Sequence, residues 1–312
     1  MDLAAFESVE LSDVGRRREN NEDACLRLPD RGIYCVADGM GGVMGGDLAS
    51  ETVTTTLQAA VNRLPKGTLR LADGIAVVKA AINQASKWIR DFAIQKVIGQ
   101  MGTTVVVLIF DPRNPTRAVA LHAGDSRLYR FHGRRLELLT SDHTTAAALA
   151  AKLGRSEASL PAKVQNELTR AVGLSENVEL EQTHIKVQSG DLFMLCSDGL
   201  TRMVPDETIG ELLRAGADDP MASVAKTLVD RANQAGGKDN ITVVLVRVGD
   251  ISGAAEPLDE EELATVAARD LPSNEAATVV AGVPAGALGA SDTPITYEGE
   301  TPTTDHPIPN RP

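Results

Sequence analysis

The 312-residue sequence contains no apolar run near the roughly 18 to 20 residues that a membrane-crossing helix needs. Its opening, Met1-Asp2-Leu3-Ala4-Ala5-Phe6-Glu7, has neither the basic start nor the apolar stretch of a secretory signal. Cysteine is scarce. Cys25, Cys35 and Cys196 are too few and odd in number for a disulfide framework, and none forms a Cys-x-x-Cys pair. They read as reduced, strand-buried small hydrophobes, and the expected setting is cytoplasmic. No His/Cys cluster has zinc-ligand spacing, and the chain lacks a Walker loop, a dinucleotide glycine fingerprint and internal repeats. Positive charge is also short: a net charge of −12 argues against nucleic-acid or anionic-membrane partners. Hydrophobic residues at 43% and charged residues at 24% are ordinary, so a sizeable core is available.

The negative charge is unevenly placed. Residues 250–312 hold twelve acids against Arg269 and Arg311, and eight of the 15 prolines, leaving residues 1–249 nearly neutral. A segment of that composition cannot bury enough apolar area to offset its ordering entropy. We therefore expect a folded domain over 1–249 and an acidic, Pro/Thr-rich disordered tail over 250–312. One short helix is compatible with Leu258–Arg269, where acids precede Leu263, Val266 and Ala267.

Strand-length apolar runs recur in the body: Ile33–Ala37, Thr104–Phe110, Ala118–His122, Leu128–Phe131, Leu192–Cys196 and Ile241–Val246. Thr104–Phe110 and Ile241–Val246 barely alternate, which predicts strands covered on both faces. Between the first two runs, Leu48, Val53, Leu57 and Val61 recur at helical spacing, as do Leu71, Ile75, Val78, Ile82, Ile89 and Phe92. Trp88 flanks the second stripe and reads as core. Two more helices fit Glu207–Arg214 and Met221–Gln234. Helices come in blocks between strands, which favours an α+β layered sandwich over a doubly wound parallel sheet.

The aspartates fall at strand ends. Asp38-Gly39 follows Ile33–Ala37, Asp198-Gly199 follows Leu192–Cys196, and Asp239 precedes Ile241–Val246. Asp125 lies between two strands, and Asp23 opens a short one. In antiparallel sheets such ends share an edge, so these acids can converge on one rim. Clustered carboxylates repel unless cations sit among them, and oxygen-only donors select Mg²⁺ or Mn²⁺ over zinc. Any one Asp-Gly pair is an ordinary turn. Three together point to a metal centre.

Eight blocks then carry a resemblance. Ser12-Asp13-Val14-Gly15-Arg16-Arg17-Arg18-Glu19-Asn20-Asn21-Glu22-Asp23 is similar to the opening of the metal-dependent protein serine/threonine phosphatases (PPM family, type 2C), above all the bacterial branch. Val36-Ala37-Asp38-Gly39-Met40-Gly41-Gly42, Met101-Gly102-Thr103-Thr104, His122–Arg127, Ser141–Thr144, Leu168–Gly173, Cys196–Leu200 and Lys238–Thr242 follow in family order over residues 6–248. The resemblance implies a four-layer α-β-β-α sandwich of two antiparallel sheets and a dinuclear Mg²⁺/Mn²⁺ centre. Carried over by position, Asp38 bridges both ions and the Gly39 carbonyl ligates one. Asp198 and Asp239 complete the other, Glu22 and Asp23 hold surrounding waters, and Arg18 clamps the substrate phosphate. Asp125 and Asp198 match the ligands of a third ion, and a variable flap lies within 141–170.

The implied activity is hydrolysis of phosphoserine and phosphothreonine on proteins by a metal-activated water, with no phosphoenzyme. Phosphorylated proteins and a cognate serine/threonine kinase are the implied partners, and a monomer is expected. Met40 stands where many eukaryotic relatives have a histidine, so the leaving oxygen's proton must come from elsewhere. His143 is a candidate by motif only and reads otherwise as a structural histidine. Arg16 and Arg17 read as a solvated basic patch. Two other readings stay open: a non-catalytic phosphoprotein binder on this fold, and a hydrolase of small phosphoesters.

Overall fold

The computed structural model describes residues 6–41, 45–64, 70–97, 99–156 and 159–251. All belong to one compact unit, while a second unit, Val283–Pro312, lies outside the described residues. So do the acidic segment from residue 252 onward and the helix suggested at Leu258–Arg269.

Among the described residues, eleven strands form two antiparallel sheets. The first takes the order β1 (Phe6–Asp13), β11 (Ile241–Val248), β10 (Leu192–Cys196), β7 (Arg127–His132), β8 (Arg135–Leu138). The second runs β2 (Asp23–Leu28), β3 (Ile33–Met40), β5 (Val105–Phe110), β6 (Arg117–Ala123), β9 (Glu181–Lys186), with the two-residue β4 (Gly102–Thr103) beside the end of β3. Helices α1 (Gly46–Asn62) and α2 (Leu71–Lys96) cover the second sheet, and α6 (Asp206–Ala215) and α7 (Met221–Gln234) cover the first. The result is an α-β-β-α sandwich, as expected. Shorter α-helices among the described residues are α3 (Thr145–Leu153), α4 (Ala162–Gln165) and α5 (Asp198–Thr201).

The flat hydrophobicity of the central strands has a simple cause. Side chains alternate across a strand, and here each face has its own core. In β5, Val105, Val107 and Ile109 pack towards α1 and α2, while Val106, Leu108 and Phe110 pack between the sheets. In β11, Ile241, Val243 and Leu245 face α7, and Val244, Val246 and Val248 face the inter-sheet layer. Phe110 anchors that layer, with rings of Phe6, Tyr34 and Phe193 within 4.6 to 6.1 Å of its own. Ile251 joins the same layer, so packing continues two residues beyond the boundary drawn at 249. Trp88 stacks on Phe92 at 5.0 Å against the helical side of the core. All three cysteines are free thiols, and burial pushes Cys25 and Cys196 up to about 12. No helix among the described residues is long and apolar enough to cross a membrane.

Candidate active site

One end of the sandwich collects strand ends from both sheets. Asp38 and Gly39 close β3, and Asp23, at the start of β2, is the direct register partner of Asp38. Asp125 lies in the crossing from β6 to β7, that is, from one sheet to the other. Asp198 opens α5 immediately after β10, and Asp239 lies two residues before β11. Arg18 and Glu22 come from the loop between β1 and β2. Together these residues, Asp23 excepted, line a cleft of about 480 Å³. Asp23 lies outside that lining, one strand over from Asp38.

The motif blocks between these acids turn out to be their fastenings. The Asp38 N–H donates to Thr104 Oγ1 at 3.0 Å, and its carbonyl accepts from Thr103 Oγ1 at 2.9 Å. Thr104 Oγ1 is in turn 2.7 Å from Ser126 Oγ, beside Asp125. Asn240 holds the loop that carries Arg18: its amide donates to the carbonyls of Val14 and Asn20 and accepts from the Glu22 N–H. Ser197 Oγ donates to Asp23 Oδ2 at 2.7 Å, tying β10 to β2.

The glycines have packing reasons. A Cβ on Gly39 would collide with the Gly46 and Glu22 carbonyls, and one on Gly199 with the Asn240 carbonyl. Only glycine lets these backbones approach.

Electrostatically the cleft is unbalanced. Its lining holds six carboxylates and two guanidiniums, a formal surplus of four acids over bases. Burial, then Asp23, Asp198, Asp125 and Asp239, drives the Asp38 carboxyl well above its ordinary range. Burial followed by Asp125 pushes Asp198 up to about 8, and burial pushes Asp23 to about 6. Asp198 Oδ1 and Asp23 Oδ1 are buried without a hydrogen-bond partner. Orphaned buried carboxylate oxygens are expensive, and a site of oxygen donors with excess negative charge fits a hard divalent cation. Arg18 meets this field with a two-pronged pair, Nε to Asp239 Oδ1 at 2.9 Å and Nη2 to Asp239 Oδ2 at 3.0 Å.

The far wall of the cleft comes from Asn166, Glu167 and Leu168. His143, the histidine singled out by motif, is not a lining residue. It closes the 141–170 segment onto the rim, exchanging backbone bonds with Gly124 and Thr169. Arg127 grips the neighbouring Asp142 through two bonds of 2.7 and 2.8 Å. His122, His143 and Glu181 place ligand-type atoms within 4.8 Å of one another. The two rings stack at 4.6 Å and 9°, and Arg170 stands 3.4 Å from His143 Nε2. His122 Nε2 already faces the Ser141 carbonyl at 2.9 Å and His143 Nδ1 accepts from the Gly124 N–H, so these rings serve as structural links. Reasoning from strand ends missed Arg202, which reaches Asp125 and Asp198. Its signal was its position four residues after Asp198 on a helical turn.

Residues 15–245 match the family model for protein phosphatase 2C. The protein phosphatase PhpP of Streptococcus pneumoniae is 34% identical over 260 residues, covering 77% of this chain and 96% of PhpP. Among solved structures, PppA of Pseudomonas aeruginosa superposes with a TM-score of 0.68 at 34% identity, over 78% of this chain and 97% of PppA. The catalytic domain of the serine/threonine protein phosphatase PstP, solved with two manganese ions, superposes with a TM-score of 0.66 at 33% identity, over 78% and 99%. A match that spans both sheets, with relatives aligned over nearly their full length, places this chain in the protein phosphatase 2C family.

Proposed function

We propose that this protein hydrolyses phosphoserine and phosphothreonine on proteins at a centre of two Mg²⁺ or Mn²⁺ ions, reversing the action of a serine/threonine kinase in the cytoplasm. The observation that carries this is the oxygen-only rim, with its uncompensated charge and the orphaned Asp198 Oδ1. The two manganese ions of PstP and the phosphatase names of the relatives support it. Asp38, the Gly39 carbonyl, Asp198 and Asp239 would hold the ions, with Glu22 and Asp23 keeping order in the surrounding water. Such ions supply Lewis-acid activation of water and neutralise the oxygens of a phosphoryl group. Residues 1–249 are the catalytic domain, acting as a monomer.

The protein's own contribution is positioning. Arg18 offers a planar fork that a phosphate can occupy through two oxygens. Asp239 takes that fork in the structure, so substrate phosphate and Asp239 compete for one guanidinium. The cleft is open, and a phosphorylated side chain can enter while its polypeptide stays on the surface between the Arg18 loop and the 166–168 wall. Met40 leaves no imidazole beside the leaving oxygen, and His143 is committed to Gly124 and Glu181. Phosphate release from a phosphoserine peptide tests the reading. Turnover should require Mg²⁺ or Mn²⁺ and vanish in Asp239→Asn; turnover that persists in chelator would overturn it.

A further inference from the structure

The family resemblance puts Asp125 and Asp198 where a third ion would bind, and the structure puts a side chain there. Arg202 follows Asp198 by four residues, on the turn that ends α5, where its N–H donates to the Asp198 carbonyl at 2.8 Å. Its Nη2 lies 2.5 Å from Asp198 Oδ2 and 3.0 Å from Asp125 Oδ2. One nitrogen therefore bridges two carboxylates from different sheets' connections. A divalent ion between these aspartates would take the same two oxygens, at about 2.1 Å each for Mg²⁺. The guanidinium and the ion cannot share that space. Asp198 Oδ1, by contrast, has no hydrogen-bond partner and would be available to an ion of the two-ion centre.

The placement is dictated by local chain geometry. An acid and an arginine four apart on one helical turn face each other, and α5 begins at Asp198 itself. Burial works against the Arg202 charge, but Asp198, Asp125 and Asp38 outweigh it and leave the pKa raised. Arg18 differs, since it pairs with Asp239 and Glu22 from a loop and touches neither Asp125 nor Asp198.

We propose that Arg202 is the resident counter-cation of the Asp125–Asp198 pair, a positioning residue that holds off a third divalent ion and leaves a two-ion centre. The inference rests on the metal-centre reading above. A built-in competitor weakens binding in proportion to the fraction of time it leaves the site open. Charge-assisted contacts of this kind are among the strong ones, and an open fraction of about one tenth or less lowers third-ion affinity at least about tenfold.

Equilibrium dialysis of the full chain against Mn²⁺, with bound metal counted by atomic emission, tests this. The wild type should bind two ions. Arg202→Gln should bind a third, at least about tenfold more tightly than any third ion on the wild type. Adding Asp125→Asn to Arg202→Gln should return the count to two. A wild type that takes three ions as readily as Arg202→Gln overturns the proposal and leaves the metal-centre reading standing. A third ion that survives Asp125→Asn in the double variant also overturns it. No ion on any of the proteins overturns both.

Discussion

Replacing Asp38 by asparagine should stabilise the metal-free protein and destabilise the metal-loaded one. Asp38 is pressed by burial and by four neighbouring aspartates, which drive its carboxyl well above the ordinary range. An acid whose pKa is higher in the folded chain than in the unfolded one destabilises the fold at neutral pH. Asparagine has nearly the same shape and cannot ionise, and relieving a buried, poorly compensated polar group is worth about 1 to 3 kcal/mol, the gain expected in chelator. For a domain of this size that is roughly 2 to 12 °C in melting temperature. In saturating Mn²⁺ the order should invert. Each ion at a hundredfold excess over its Kd adds about 2.7 kcal/mol to the wild type, and the variant forfeits the bridging ligand. Thermal melts of both proteins in EDTA and in Mn²⁺ measure all four values. An Asp38→Asn protein that melts below wild type in EDTA, or gains as much from Mn²⁺, would refute the reasoning.

Three other outcomes follow from the same geometry. In EDTA the wild type should lose stability as pH rises from about 4 to about 8, because Asp23 and Asp198 are raised to about 6 and 8. The sign is that of acids which hold protons longer when folded: their contribution is intact below the unfolded pKa and gone above the folded one. Mn²⁺ should flatten this slope in urea titrations, and a slope unchanged by Mn²⁺ would contradict it. Gly199→Ala should cut Mn²⁺-dependent turnover by at least about tenfold with little change in circular dichroism, since the new methyl strikes the Asn240 carbonyl beside Asp239. Arg18→Ala should raise KM for a phosphopeptide more than it lowers kcat, because a clamp on the phosphate acts in the ground state too. A pure kcat loss would exclude that role.

The strands that read clearly from sequence are those buried on both faces. β3, β5, β10 and β11 are unbroken apolar runs because helices cover one side and the opposite sheet the other. β8 and β9 were not legible. Arg135–Leu138 and Glu181–Lys186 are sheet edges with largely solvated side chains, so their pattern carries little hydrophobic signal. β1 is similar: Phe6 shares its face with Ser8 and Glu10, and Val9 and Leu11 share theirs with Glu7, so neither face is uniformly apolar. At the site, every acid named from a strand end lies at the same end of the sandwich, because strand termini are where an antiparallel sheet brings distant sequence together. What the pattern could not show was pairing across that end. The Arg18 fork on Asp239 spans 221 residues, and the stacked His122 and His143 rings join two segments with no local signature. Arg202 was concealed differently. Asp198 reads as a turn residue just past a strand, whereas it is the first of a helical turn, and only the helical spacing puts Arg202 over it.

Drawing the acids from both sheets makes the cleft a seam. Asp38 belongs to one layer, Asp198 and Asp239 to the other, and Asp125 to the chain that passes between them. Whatever charge those acids carry acts along that seam, opposite in sense to the apolar grip of Phe110 and its neighbours further in. Divalent ions, bound there, would act as rivets between the halves. In a cell starved of them, the molecule would begin to open at its working end, long before its interior gave way.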